Sequence, residues 1–149
     1  MLSNSPEGIA IYLSAMWCQP CIAKTRLISD YFNQNKSIKQ IFVYDPGFTD
    51  KKAKKILGDL YNKETSFLIP KSFYGKRKIL MVNPQDNSLK VIADSLSKFK
   101  VIKGSLFDLW FGELIYIDNK RRISVLNFEN KEQASPEGIS AFLKQANTL

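Results

Sequence analysis

Length, composition and charge narrow the function classes open to this chain. Its 149 residues, 44% hydrophobic and 24% charged, are ordinary usage for one globular domain, which we expect to span residues 1–149. The chain has no histidine and two cysteines, so half of a usual four-ligand zinc site is missing and we expect no bound metal. The net charge of +8 is spread along the chain without a basic, aromatic-interleaved patch, which argues against nucleic-acid binding and favours a solvated surface. Attraction to an acidic partner or to anionic lipid is the alternative explanation of this charge.

The chain shows no signal for membrane insertion. No apolar run reaches the length of about 18 residues that a membrane-spanning helix needs. Residues 1–6 have neither the basic start nor the apolar stretch of a secretory leader. We therefore expect no membrane segment in this chain.

The first half of the sequence predicts two strand–helix pairs. Residues 9–15 have the length and β-branched content of a buried strand, and residues 19–33 follow as a helix. The apolar positions of this helix are Ile22, Leu27, Ile28, Tyr31 and Phe32. Residues 38–44 predict a second strand, which a turn at Asp45-Pro46-Gly47 ends. Thr49 is typical of an N-cap, and a second amphipathic helix follows it. The apolar positions of that helix are Ala53, Ile56, Leu57, Leu60 and Tyr61.

The second half predicts a strand, a helix, a hairpin and a last helix. Residues 78–82 predict a short strand, and Asp86 or Asn87 caps a helix after it. The apolar positions of this helix are Leu89, Ile92, Ala93, Leu96 and Phe99. Residues 113–117 and 122–128 flank the hairpin signal Asp118-Asn119-Lys120-Arg121. Ser135 and Pro136 then start a final amphipathic helix. Its apolar positions are Ile139, Phe142, Leu143 and Ala146. Alternating strands and helices of this kind predict an α/β fold, a central mixed sheet with helices on both faces.

Both cysteines lie in the pentapeptide Trp17-Cys18-Gln19-Pro20-Cys21, directly after the first predicted strand. Two sulfurs separated by two residues can close into a small disulfide ring and reopen. A helix N-terminus favours the thiolate form of the first sulfur. In open α/β sheets, sites form at the carboxyl edge, where this strand passes to the helix.

These residues resemble the thioredoxin superfamily, in which a buried strand precedes Trp-Cys-x-x-Cys at the start of a helix. Within it, Ala15-Met16-Trp17-Cys18-Gln19-Pro20-Cys21 is most similar to the TlpA-like thiol-disulfide oxidoreductases of the bacterial cell envelope. The strand and helix inserted between Asn83 and Phe99 also match that branch. The resemblance implies a thioredoxin-like fold and no cofactor beyond a redox-active Cys18–Cys21 disulfide.

The resemblance also implies partners and a compartment. The partners are cysteine-containing client proteins and an upstream thiol donor or acceptor, and the protein is expected to be a monomer. The bacterial periplasm is the favoured compartment, with a leader or anchor absent from this chain, and the cytoplasm is the alternative.

Two positions depart from the superfamily pattern. Its members usually carry a cis-proline just before the third core strand, facing the disulfide. If that strand is residues 113–117, the corresponding place is Phe111-Gly112, which has no proline; the other candidate is Pro70, which would make Lys71 onward the third strand. We favour the first alignment because the hairpin and the last helix follow in the right order. Many relatives also carry a buried acid six residues before the first cysteine, where this chain has Tyr12, so proton transfer relies on water or another group.

The resemblance assigns Cys18 as the nucleophile and Cys21 as the resolving cysteine. Gln19 and Pro20 complete the motif, with Pro20 stiffening the ring, and Trp17 offers an apolar platform to a client chain. Trp110, in the aromatic segment 106–111, is either core or part of that client surface. The alternatives to an oxidoreductase are a binding or assembly module with a vestigial motif, a thiol peroxidase, and a structural disulfide. A ring this short is weak support for the last of these.

Overall fold

The computed structural model of the protein describes residues 8–45, 49–68, 80–82, 89–91, 100–103, 111–120, 122–128 and 130–148, and for 80–82, 89–91 and 100–103 it describes the backbone alone. These residues form an α/β structure. The strands are β1 (Gly8–Ala15), β2 (Ile38–Asp45), β3 (Ser66–Leu68), β4 (Leu80–Val82), β5 (Leu89–Val91), β6 (Lys100–Lys103), β7 (Leu114–Asp118) and β8 (Arg122–Leu126). The helices are α1 (Gln19–Gln34), α2 (Asp50–Leu57) and α3 (Pro136–Asn147), and a 3₁₀ turn (Gly58–Leu60) follows α2.

The main sheet is mixed, with the strand order β3-β2-β1-β7-β8-β6. The central strand β1 pairs in parallel with β2 and antiparallel with β7. Its carboxyl end therefore lies between the end of β2 and the start of β7. Residues that flank β1 on both sides meet there, directly before the helix that carries the two cysteines.

Both faces of this sheet are buried. On one face, Tyr12 and Phe42 belong to a cluster that includes buried residues of all three described helices. On the other face, isoleucines and valines of the strands form a second cluster. Strands buried on both faces read as continuous apolar runs, which is why β1 was predictable as a buried strand. The described helices contribute buried residues to the first face only, so helices on the second face stay a prediction.

Helices α1 and α3 lie where the sequence predicts them. The buried residues of α1 are Cys21, Thr25, Ile28 and Phe32, one stripe with a spacing of three or four residues. Pro20 lies in its first turn, where a missing N–H costs no helical hydrogen bond. In α3, the Ser135 hydroxyl accepts the Gly138 N–H, and all four predicted apolar residues are buried. The hairpin of β7 and β8 is also confirmed.

Helix α2 is shorter than its apolar pattern predicts. Thr49 caps it as expected, accepting the Lys52 N–H at 3.2 Å. The helix ends at Leu57, where Gly58 takes a φ of +56°, a conformation that residues other than glycine adopt only with strain. Ile56, predicted on the buried face, is 43% exposed, since the buried stripe is formed by Ala53 and Leu57 alone.

The segment after β3 corrects one prediction. Leu89–Val91 is strand β5, paired antiparallel with β4, and not the first turn of a helix. Leu-Lys-Val alternates with the period of a strand, and the intervening Pro84, Asp86 and Asn87 favour a reverse turn as readily as a helix cap. The rest of that predicted helix, together with Pro70 and Trp110, lies outside the described residues.

The β7–β8 turn contains the most buried ion pair of the described residues. The Asp118 carboxylate, 6% exposed as a residue, accepts the N–H groups of Lys120 and Arg122 and pairs with Arg122 Nε at 2.6 Å. Burial alone would raise the pKa of Asp118, but the hydrogen bonds from Arg122 and Lys120 outweigh it and hold the pKa below its ordinary value.

We expect this ion pair to contribute to the free energy of unfolding in a way that depends on pH. Because the pKa of Asp118 is depressed on folding, its contribution is complete above the unfolded pKa of about 4 and is lost as the pH falls through the folded value. We expect Asp118→Asn to lower the free energy of unfolding by about 2 kcal/mol at pH 7, since it removes charge-assisted hydrogen bonds. The deficit should shrink toward pH 2 in urea titrations. A deficit independent of pH would show that the charge of Asp118 has no such role.

None of the helices in the described part of the chain is long and apolar enough to cross a membrane.

Candidate functional site

The two cysteines form a disulfide at the junction of β1 and α1. Cys18 and Cys21 are bonded, with their Cα atoms 5.3 Å apart. They lie at the carboxyl end of the central strand, the edge at which sites form in open α/β sheets. The local fold follows from the sequence, because an apolar run forms β1 up to Ala15 and Pro20 suits the first turn of α1.

The backbone places Cys18 at the amino end of α1. Cys18 is the N-cap residue with extended φ and ψ, and its carbonyl accepts the Ile22 N–H at 3.1 Å. Its own N–H donates to the Ala15 carbonyl at 3.0 Å. The first turn of α1 contains no acidic residue, so no carboxylate there cancels the positive potential of the helix N-terminus at the Cys18 sulfur. This position favours a negative charge on the Cys18 sulfur after reduction.

The two sulfurs differ in their exposure. Cys18 is partly exposed, and its neighbours Gln19 and Pro20 are exposed, whereas Cys21 is 2% exposed. An incoming thiolate or disulfide therefore reaches Cys18 first. In any exchange at this site, Cys21 is the buried partner.

Trp17 forms an exposed apolar surface beside Cys18. Its indole is 51% exposed, the most exposed large hydrophobic side chain among the described residues. Trp17 Nε1 donates to Asp45 Oδ2 at 3.1 Å, and the ring meets Phe111 edge to face with centroids 5.4 Å apart. The indole is thus held by Asp45 at the end of β2 and by Phe111, three residues before β7. An exposed tryptophan fixed in this way is available to a partner rather than to the core.

Gly112 lies directly against the disulfide. A Cβ built at this position would be 3.4 Å from Cys21 Sγ, and the Gly112 N–H donates to the Leu13 carbonyl at 2.6 Å. The residues just before β7, Phe111 and Gly112, therefore lie beside the cysteines. The φ of Gly112 is +96°, a conformation that other residues adopt only with strain.

Substitution of Gly112 should affect the disulfide and not only the fold. We expect Gly112→Ala to lower the free energy of unfolding by about 1–2 kcal/mol through backbone strain, and to change the equilibrium constant of the disulfide with glutathione. Gly58→Ala is the matched control, because Gly58 also has a positive φ and has no atom within 4 Å of its built Cβ. It should lower stability without moving the redox equilibrium. Equal redox shifts in both variants would contradict the assigned contact.

Two buried hydroxyl groups form hydrogen bonds with the backbone of Cys21. The Cys21 carbonyl accepts the Tyr12 hydroxyl at 2.8 Å and the Thr25 hydroxyl at 3.0 Å. Burial, with a smaller contribution from Tyr44, raises the pKa of Tyr12 well above its ordinary value. Burial likewise raises the pKa of Tyr44, while Ser66 and Thr25 act in the opposite direction. Tyr12 therefore stays protonated at neutral pH, where it donates a hydrogen bond and anchors the first turn of α1 to β1.

The structure brings most of the predicted site residues together. Cys18, Cys21, Trp17, Phe111 and Gly112 meet at one edge of the sheet, with Gln19 and Pro20 in the same turn. The sequence indicates Asp45 only as part of a turn, and it does not predict the hydrogen bond between Asp45 and Trp17. The available signal was an acidic residue at the end of the strand next to β1.

In the described part of the chain, no three histidine, cysteine, aspartate or glutamate side chains come together as a metal site would require.

Comparison of the chain with protein-family models, with curated proteins and with solved structures finds no match.

Proposed function

We propose that the protein is a thiol-disulfide oxidoreductase that exchanges electrons with cysteines of client proteins through Cys18 and Cys21. The observation that carries the proposal is the arrangement of the pair: a partly exposed sulfur at a helix N-cap, bonded to a buried sulfur three residues later. The strand–helix setting and the exposed Trp17 agree with the resemblance to TlpA-like members of the thioredoxin superfamily. Family membership is part of this proposal.

The reaction follows from the different exposure of the two sulfurs. In the reduced protein, the Cys18 thiolate attacks one sulfur of a client disulfide, a Cys18–client disulfide forms, and the other client sulfur leaves as a thiolate. Cys21 then loses its proton to water and attacks Cys18 Sγ. The Cys18–Cys21 disulfide forms again and the second client thiolate is released, so two electrons have passed to the client. A thiol donor, such as dithiothreitol in an assay, resets the pair, and the reverse steps oxidise a client dithiol.

The proposal is tested by trapping the intermediate. In Cys21→Ser the attack by Cys18 is retained, but the resolving sulfur is missing, so a covalent adduct with a disulfide-containing client such as insulin should accumulate. Mass spectrometry of the unreduced mixture measures it, and the matched control is Cys18→Ser, which should form none. Equal amounts of adduct in Cys21→Ser and Cys18→Ser would reject Cys18 as the nucleophile. Absence of adduct in both variants would reject the redox proposal.

A second candidate function, a binding or assembly module with a vestigial redox motif, is favoured by one observation. The position that faces the disulfide from β7 is Gly112, which offers no proline ring to a docked chain. For such a module, a client would bind equally well to wild type and to Cys18→Ser, and insulin reduction would not exceed that of the thiol donor alone.

A further inference from the structure

Helix α2 presents a strongly basic outer surface. Ala53 and Leu57 are buried against the core, and the remaining positions after Asp50 are all exposed. Four of them are lysines: Lys51, Lys52, Lys54 and Lys55. At about 100° per residue, these lysines cover an arc of roughly 160° centred opposite the buried stripe. The basic surface is thus a continuous face of the helix.

The two described acidic residues that flank the lysines in the chain, Asp50 and Asp59, do little to cancel the charge of this face. Asp59, which follows the helix, pairs with Arg26 at 3.1 Å on the side of α1. Asp50 lies in the first turn, where it complements the helix dipole. The Lys54 ammonium group lies 5.3 Å from the centre of the Tyr61 ring, which keeps this lysine at the surface. The face therefore has a net positive field of its own.

One apolar side chain borders the lysines. Ile56 is 43% exposed, and it and Trp17 are the exposed large hydrophobic side chains of the described residues. It lies next to Lys55 in sequence and one turn after Lys52. An isoleucine gains nothing from the phosphate backbone of a nucleic acid, but it gains free energy when it enters the acyl boundary of a bilayer. Lysines beside an exposed apolar residue fit the surface of an anionic membrane.

We propose that α2 is a peripheral binding surface for anionic lipid, with Lys51, Lys55 and their neighbours attracted to the headgroups and Ile56 inserted between them. Each lysine near an anionic leaflet strengthens binding about fivefold, so Lys51 and Lys55 together supply about thirtyfold. The attraction is screened by salt, because these side chains are exposed. The chain between Asp45 and Asp50 spans at most about 17 Å, so the amino end of α2 stays near the strand end that holds Trp17. A membrane bound at α2 would lie close to the edge of the sheet that carries the disulfide.

Vesicle flotation tests the proposal on the whole chain. Wild type should bind vesicles of equal parts phosphatidylglycerol and phosphatidylcholine and not vesicles of phosphatidylcholine alone. We expect the double variant Lys51→Gln/Lys55→Gln to bind the anionic vesicles about thirtyfold more weakly. The matched control, Lys36→Gln/Lys144→Gln, removes the same charge from exposed positions elsewhere and should change binding less than about twofold. Ile56→Ser should weaken binding severalfold.

Specific outcomes would overturn the proposal. Equal losses in the two double variants would show that binding depends on net charge and not on this face. Equal binding to both vesicle types would show that the lysines do not attract the headgroups. Binding to mixed-sequence DNA as tight as to anionic vesicles, with no effect of Ile56→Ser, would assign the face to nucleic acid. The Cys18→Ser variant should bind vesicles as wild type does, so failure of the redox proposal and failure of this one are separate results.

Discussion

Replacement of Cys18 by serine will lower the rate of insulin reduction by about a thousandfold, to the rate of the thiol donor alone. The reason is chemical, because a serine hydroxyl does not ionise near neutral pH and cannot form a disulfide with the client. Under the proposed function, the partly exposed Cys18 at the N-cap is the sulfur that a client meets. The measurement is the turbidity of the insulin B chain with dithiothreitol as the donor.

The control for this prediction is the fold of the variant. Cys18→Ser lacks the disulfide, so its urea unfolding should be compared with that of reduced wild type, which lacks the disulfide too. We expect the two free energies of unfolding to agree within about 0.5 kcal/mol, since the sulfur is partly exposed. Insulin reduction by the variant at the wild-type rate would reject the enzymatic proposal.

Replacement of Tyr12 by alanine will lower the free energy of unfolding by about 3–5 kcal/mol. Tyr12 is fully buried in the central strand, and its ring meets Phe42 and Phe128 edge to face at centroid distances of 6.3 and 6.5 Å. The substitution removes this ring from its core cluster and leaves a cavity beside β1. Urea unfolding of the oxidised protein measures the loss.

The hydroxyl of Tyr12 should matter less than its ring. Tyr12→Phe keeps the aromatic contacts and removes only the hydrogen bond to the Cys21 carbonyl, which still accepts the Thr25 hydroxyl. We expect this variant to lose about 1 kcal/mol. If Tyr12→Phe and Tyr12→Ala were equally unstable, the packing of the ring would not be the main contribution of Tyr12.

The parts of the fold that the sequence predicts are those with strong local signals. A buried strand followed by Cys-x-x-Cys and a proline specifies the β1–α1 junction, because the apolar run and the helix start are adjacent in the chain. The hairpin at Asp118 and the Ser135-Pro136 helix start are equally local. The site was predictable from local sequence as far as it lies in the pentapeptide, whereas Phe111 and Gly112 were expected there only through the resemblance.

What was missed depends on contacts between distant residues. The edge strands β3 and β6 are three and four residues long, and parallel pairing with β2 and β8 defines them. Leu89 is compatible with a strand or with the apolar face of a helix, and its pairing with Val82 of β4 makes it part of a strand. Asp45 and Trp17 are 28 residues apart, so their hydrogen bond follows from the pairing of β1 with β2 and has no local signal.

The most direct test of the central claim is the alkylation of each cysteine in the reduced protein as a function of pH. Iodoacetamide reacts with thiolates, and mass spectrometry of the peptides separates modification at Cys18 from modification at Cys21. We expect Cys18 to react first, with a midpoint below the value of about 8.5 for a free thiol, and Cys21 to react much more slowly. Equal rates at the two cysteines, or a midpoint for Cys18 at or above that value, would contradict the account.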